Sequence, residues 1–121
     1  MILVDTSVWV DHLRRGDEEL AALLRAGEVA CHPFVTGELA CGNLRNREEL
    51  LALLSALGQL PKADDAEVIE FIGRHRLMGK GLGLIDIHLL ASCAIARVGL
   101  WTRDGRLRQA ASIVGLTHEP K

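Results

Sequence analysis

Four carboxylates stand where a carboxylate needs an explanation: Asp5, Glu38, Asp86 and Asp104. Asp5 ends the apolar run Ile2-Leu3-Val4, and Asp104 follows Leu100-Trp101-Thr102 at the matching place. In open α/β sheets, ligands gather outside the carboxyl ends of the strands. Glu38 lies on a helix directly after the run Val29-Ala30-Cys31, and Asp86 sits between Ile85 and Ile87 in the most apolar helix of the chain. A carboxylate in such surroundings is costly unless it is paired, hydrogen-bonded or bound to a cation. Four of them together repel and raise one another's pKa, and a divalent cation removes that cost. An all-oxygen donor set favours Mg²⁺ or Mn²⁺ over zinc. Such an ion lowers the pKa of a bound water and stabilises charge on a phosphate during in-line displacement. The chemistry suggested is phosphodiester hydrolysis.

Each of the four has a plainer role open to it. Asp5 and Asp104 suit helix N-caps, Glu38 suits a solvated surface, and Asp86 suits the positive end of a helix dipole. The remaining acids, such as Asp17, Glu18, Glu48, Asp64 and Glu67, fall in first turns or on polar faces, where charged residues ordinarily lie. What separates the quartet from them is joint placement, which depends on the elements that carry it.

Ile2-Leu3-Val4 suits a strand buried on both faces, as in a parallel sheet. Asp5-Thr6-Ser7 opens a helix carrying Val8, Trp9, His12 and Leu13 to a stop at Gly16. A second helix runs from its cap Asp17 to about Gly27, and Val29-Ala30-Cys31 forms a second strand. Pro33 opens the helix that holds Glu38, at the position where a missing N–H costs nothing, and Gly42 closes it. Helices follow over Glu48–Leu57 and from Asp64 or Asp65 onward, then a glycine-rich loop, Met78 to Gly83. Ile85 to about Val98 is the apolar helix of Asp86, expected to stop at Gly99. A third strand, Leu100-Trp101-Thr102, precedes a helix from Gly105 to about Val114, with Leu116-Thr117-His118 as a closing strand. Alternating strands and helices predict an α/β fold, a central mostly parallel sheet flanked by helices. One domain over residues 1–121 is the simplest organisation, since the sequence has neither an internal repeat nor a linker. Both strand ends and both helix starts that bear the acids then meet at one edge of the sheet.

Composition narrows the functional classes. The chain has 121 residues, enough for one core. Its net charge is −2, from 14 basic and 16 acidic side chains, so nucleic acid would have to be held by a local patch. Aromatic content of 3 % with no Tyr argues against a base-stacking platform. Cys31, Cys41 and Cys93 form no CxxC pair, which points to core thiols in a reducing cytoplasm and not to disulfides. Cys31-His32 with Cys41 fits no usual zinc spacing. No apolar run reaches the roughly 18 residues of a membrane span, and the start lacks the basic segment of a signal peptide. Met78-Gly79-Lys80-Gly81-Leu82-Gly83 has neither phosphate-loop nor dinucleotide spacing, and serves as a connector.

The motifs taken in order resemble the PIN-domain family, and most closely the VapC toxins of bacterial toxin–antitoxin pairs. The resemblance covers nearly the whole chain through four segments: Val4-Asp5-Thr6-Ser7-Val8-Trp9, Thr36-Gly37-Glu38-Leu39, Ile85-Asp86-Ile87-His88-Leu89-Leu90-Ala91 and Thr102-Arg103-Asp104-Gly105-Arg106-Leu107. It implies an endoribonuclease dependent on Mg²⁺ or Mn²⁺, with Asp5, Glu38, Asp86 and Asp104 as its acidic quartet. It also implies a homodimer, a VapB-like antitoxin that occupies the groove, and structured RNA such as tRNA or rRNA as substrate. Thr6, Ser7 and Thr102 are hydroxyls suited to orienting carboxylates or water, or to capping. Among the arginines near these segments, Arg103 and Arg106 beside Asp104 are the expected contacts to RNA or antitoxin, because a guanidinium fork binds two phosphate or carboxylate oxygens. Trp9 and the apolar helices near residues 48–77 would overfill one small core, and the excess apolar surface suits a dimer or antitoxin interface. Two other classes compete. A PIN-like module that binds RNA or protein without cutting has no need of four costly acids. A phosphatase using Asp5 lacks its usual second aspartate, since Ser7 stands there.

Overall fold

The computed structural model describes residues 1–120; Lys121, the last residue of the expected domain, lies outside them. Strands β1 (Ile2–Val4), β2 (Val29–Cys31), β3 (Gly58–Gln59) and β4 (Gly99–Trp101) form one sheet in the order β3-β2-β1-β4. Every pairing is parallel. Helices α1 (Thr6–Arg15), α2 (Glu18–Arg25), α3 (Pro33–Ala40), α4 (Arg47–Ala56), α5 (Asp65–His75), α6 (Leu84–Ala96) and α7 (Gly105–Ile113) alternate with the strands or follow one another between them. A parallel sheet must be covered on both faces. Accordingly Leu3, Val4, Val29, Ala30, Cys31, Leu100 and Trp101 are all buried, in a core completed by side chains such as Trp9, Leu20, Leu54, Leu89, Leu90 and Leu107.

The register decides what the sheet edge presents. Leu3 pairs with both Ala30 and Leu100, and Val4 pairs with Trp101. The next residues, Asp5 after β1, His32 after β2 and Thr102 after β4, therefore leave the sheet side by side at its carboxyl edge.

Four sequence expectations need correction. β3 was not expected: it is two exposed residues on the sheet edge, too short and too polar to show an apolar signal. The closing strand over Leu116–His118 is a single parallel bridge between Leu100 and Thr117, held by Leu100 N–H to the Leu116 carbonyl and His118 N–H to the Leu100 carbonyl. Helix α6 ends at Ala96, with Arg97 in the left-handed region (φ 59°), and Gly99 is the first residue of β4 and not the helix stop. Of the three thiols only Cys31 and Cys93 are buried, while Cys41 is exposed at the end of α3.

Candidate active site

Asp5 occupies the N-cap position of α1, yet its carboxylate makes no capping bond. The other aspartates at helix starts behave differently. Asp17 accepts from Leu20 N–H, and Asp64 forms a reciprocal capping box with Glu67. Asp5 Oδ2 instead accepts two hydroxyls, from Thr102 Oγ1 at 2.7 Å and Ser7 Oγ at 2.9 Å. Both hydroxyl protons go to the carboxylate, so the 3.4 Å approach of Ser7 Oγ to Thr102 Oγ1 is a contact and not a third bond. Asp5 is only 7 % exposed. A nearly buried carboxylate held by hydroxyls and withheld from its helix is positioned for something other than capping.

Asp104 combines both roles open to it. Its Oδ1 accepts from Arg106 N–H at 3.0 Å and Leu107 N–H at 3.2 Å, capping α7. Its own N–H donates to Thr102 Oγ1 at 3.1 Å. Thr102 is thus the atom-level link between the acids of two adjacent strands: its hydroxyl donates to Asp5 and accepts from Asp104. Ser7 Oγ plays a similar part by accepting Arg103 N–H at 3.0 Å.

The other two acids are carried by helices α3 and α6. Glu38, on the second turn of α3, accepts from Thr6 Oγ1 through Oε1 at 3.0 Å, tying α3 to the start of α1. Asp86, on the first turn of α6, accepts from Gly83 N–H through Oδ2 at 3.1 Å, a bond that satisfies an orphan donor at the helix start. Both acids have raised proton affinity. Burial pushes the Glu38 carboxyl up; the Thr6 hydroxyl opposes this, while the charges of Asp5 and Asp86 add to it. Burial likewise pushes up Asp86, opposed by the Gly83 N–H and reinforced by Asp104 and Asp5. Glu38 therefore lies within electrostatic reach of Asp5 and Asp86, and Asp86 within reach of Asp5 and Asp104, which joins the four into one cluster.

A cation would relieve that repulsion, and the donors are all hard oxygens. Among the described residues no three His, Cys, Asp or Glu side chains close around one point at coordination distance. That geometry does not suit an ion caged wholly by protein. It does suit Mg²⁺, which dehydrates reluctantly, keeps several waters and is usually held by one or two carboxylates together with substrate phosphates. The residues fit a hydrated hard ion.

The expected RNA or antitoxin contacts separate in the structure. Arg103 is drawn into ion pairs with Asp11, at 2.6 Å, and Asp17, and its guanidinium lies over the Trp101 ring. Burial pushes Asp17 up, but the bonds from Leu20 N–H and the Arg103 guanidinium hold it below its ordinary range. Arg106 instead lies against the glycine-rich loop, where a Cβ at Gly81 would meet its Nη1 at 2.8 Å. The loop's left-handed glycines, Gly79 and Gly81, let it pass that close. The sequence offers His32 only as half of a doubtful zinc pair. In the structure it is fully buried, with both ring nitrogens engaged by Phe34 N–H and Ser92 Oγ. Its one visible signal is its place immediately before Pro33, the N-cap position of α3.

Known proteins resemble this chain in sequence and in fold. A family model described as "PIN domain" matches residues 2–113. Ribonuclease VapC32 of Mycobacterium tuberculosis is 48 % identical over 117 residues, covering 96 % of this chain and 94 % of that protein. Among solved structures, a toxin–antitoxin complex from Klebsiella pneumoniae aligns with a TM-score of 0.65 at 23 % identity, over 86 % of this chain and 87 % of its own. FitAcB from Neisseria gonorrhoeae aligns with a TM-score of 0.64 at 21 % identity, over 93 % and 94 %. At such identities the structural likeness speaks for the fold.

Proposed function

The chain belongs to the PIN domain family, and we propose that it is a toxin endoribonuclease of the VapC type, using Mg²⁺ or Mn²⁺ to hydrolyse phosphodiester bonds in structured RNA such as tRNA or rRNA. The observation that carries the reading is the electrostatic coupling of the acids at the carboxyl edge of the sheet: Glu38 feels the charges of Asp5 and Asp86, and Asp86 those of Asp104 and Asp5. The ribonuclease relative supports the activity, and the toxin–antitoxin neighbour supports a cognate VapB-like antitoxin as partner. A homodimer is part of the same proposal.

When bound, the divalent ion would supply an activated water and charge stabilisation at the phosphate. Asp5 and Asp104, linked by the Thr102 hydroxyl, would hold the ion, with Glu38 and Asp86 reaching it directly or through its waters. The chain's own groups prepare the rest. Thr102 and Ser7 fix the Asp5 carboxylate in one orientation. Thr6 occupies Oε1 of Glu38, leaving Oε2 to take a proton from the attacking water, a role that its raised proton affinity favours. Gly83 N–H holds one oxygen of Asp86 and leaves the other free to face the site. Arg106, against the glycine-rich loop beside Asp104, is the proposed phosphate contact.

The test is cleavage of total RNA by antitoxin-free protein in Mg²⁺ or Mn²⁺. Discrete fragments that disappear with EDTA and in Asp5→Asn support the proposal. Cleavage that survives both overturns it, and RNA bound but never cut moves the protein to the class of non-catalytic binding modules.

A further inference from the structure

His32 and Ser92 form a buried polar pair that the cleavage chemistry does not use. Neither side chain is exposed at all. Phe34 N–H donates to His32 Nδ1 at 3.0 Å. A backbone amide can only donate, so Nδ1 carries no proton, and the neutral ring must carry its proton on Nε2. That N–H lies 3.0 Å from Ser92 Oγ and donates to it. One imidazole therefore caps α3 with one nitrogen and grips the middle of α6 with the other.

These are the two helices that bring Glu38 and Asp86 to the site. Helix α3 packs chiefly against α1 and α4, and α6 chiefly against α5 and β4. Helices α3 and α6 are linked by the His32–Ser92 bond and by an edge-to-face contact of Phe34 with His88, with ring centroids 4.9 Å apart. Glu38 is six residues beyond His32, and Asp86 six residues before Ser92. At 1.5 Å per residue, each acid is about 9 Å along its helix from the pin. Carboxylates that act jointly must be held within roughly 0.5 Å, and a slide of one helix past the other moves one acid relative to its partner by the same amount.

We propose that the buried His32–Ser92 hydrogen bond sets the spacing and register of helices α3 and α6, making both residues positioning residues for Glu38 and Asp86 in phosphodiester cleavage. The surroundings favour the neutral ring that this requires. Burial, with the nearby charges of His88 and Lys62, lowers the His32 pKa to about 4, and the Lys62 ammonium sits over the Phe34 ring. At neutral pH the pin is in its bonding form throughout.

This inference rests on the nuclease reading, and two variants outside the acidic cluster test it. Ser92→Ala deletes one oxygen. His32→Asn keeps a good N-cap acceptor but is too short to reach Ser92. RNA cleavage rates, and Mn²⁺ affinity measured by electron paramagnetic resonance, are compared with wild type well below each variant's melting temperature. The expected result is a kcat about 10- to 100-fold lower in each, as for outer-shell partners of metal ligands, with KM within about twofold and Mn²⁺ bound about tenfold more weakly. The double variant should be no worse than the worse single one, because both changes remove the same bond. Variants that melt earlier yet keep wild-type kcat and Mn²⁺ affinity overturn the proposal and leave the pair a purely structural bond. If His32→Asn fails to fold, Ser92→Ala alone carries the test. If the wild-type protein cuts no RNA, the nuclease reading fails, while the Mn²⁺ comparison still decides whether the pin positions the acids.

Discussion

The neutral His32 makes a sharp demand on how stability responds to acid. Unfolded, its imidazole titrates near the ordinary 6.5; folded, burial first, and then His88 and Lys62, hold it at about 4. A group with a depressed folded pKa contributes its full stability above the unfolded value. It loses that contribution as pH falls through the window between the two values. Each tenfold change in the proton equilibrium is worth about 1.4 kcal/mol, so wild type should lose about 3 kcal/mol from this residue between pH 6.5 and pH 4. Glu38 and Asp86 work in the opposite sense. Their raised proton affinity adds stability as they protonate, which partly masks the loss in wild type alone. The comparison with His32→Asn removes the part of that background that comes from burial, the largest cause of both shifts, because both proteins carry the two acids. Urea unfolding of both at pH 7, 6, 5 and 4 gives the difference curve. The advantage of wild type at pH 7 should shrink by about 3 kcal/mol by pH 4. A difference that stays flat within about 0.5 kcal/mol across the window refutes the argument that the fold requires a neutral His32.

The other predictions concern the acids and their hydroxyls. Thr102→Val keeps the shape of the side chain but removes the donor to Asp5 and the acceptor for Asp104 N–H. Cleavage should fall about 10- to 100-fold and stability by about 2 kcal/mol; single-turnover kinetics that match wild type would show that Asp5 needs no such support. Glu38→Gln and Asp86→Asn keep acceptors for Thr6 and Gly83 while removing charge. Since raised carboxyl pKa values mean stability lost as pH rises through them, both variants should abolish cleavage yet melt above wild type at pH 7, a trade expected of active-site acids. Lower melting temperatures in both would contradict the reading of a repulsive cluster. Mg²⁺ should raise the melting temperature of wild type, by the equivalent of about 2.7 kcal/mol at 100 times its Kd, and leave Asp5→Asn unmoved; equal shifts in calorimetry would mean that the ion binds elsewhere.

Parts of this site were legible in the sequence for a definite physical reason. Asp5 directly follows one short apolar strand and Asp104 comes three residues after another, and in a parallel sheet the register carries adjacent strand ends to one place. The Val4–Trp101 pairing sets the following residues next to each other, so the Asp5–Thr102 bond across 97 positions is a consequence of two strands lying in register. Asp86 stood out because a charge amid apolar neighbours is costly, and the structure shows its first-turn bond to Gly83 together with its raised proton affinity. The unread parts depend on quantities that strand periodicity does not carry. β3 has only two exposed residues to declare itself. Arg103 was a reasonable phosphate ligand by type, but its direction is set by Asp11 on α1 and Asp17 in the turn before α2. His32 and Ser92, sixty positions apart, meet because of how α3 and α6 are rotated against each other, and no local pattern encodes that rotation. The division follows how each contact is made. Side chains at strand ends inherit their neighbours from backbone hydrogen bonding, which recurs in every parallel sheet. Side chains on helices get theirs from packing that is specific to one core. The acids from the strands are accordingly placed by the fold class itself, whereas Glu38 and Asp86 depend on this protein's own interior. A buried hydrogen bond between their helices is therefore where a change far from the carboxylates should be felt most strongly at the site.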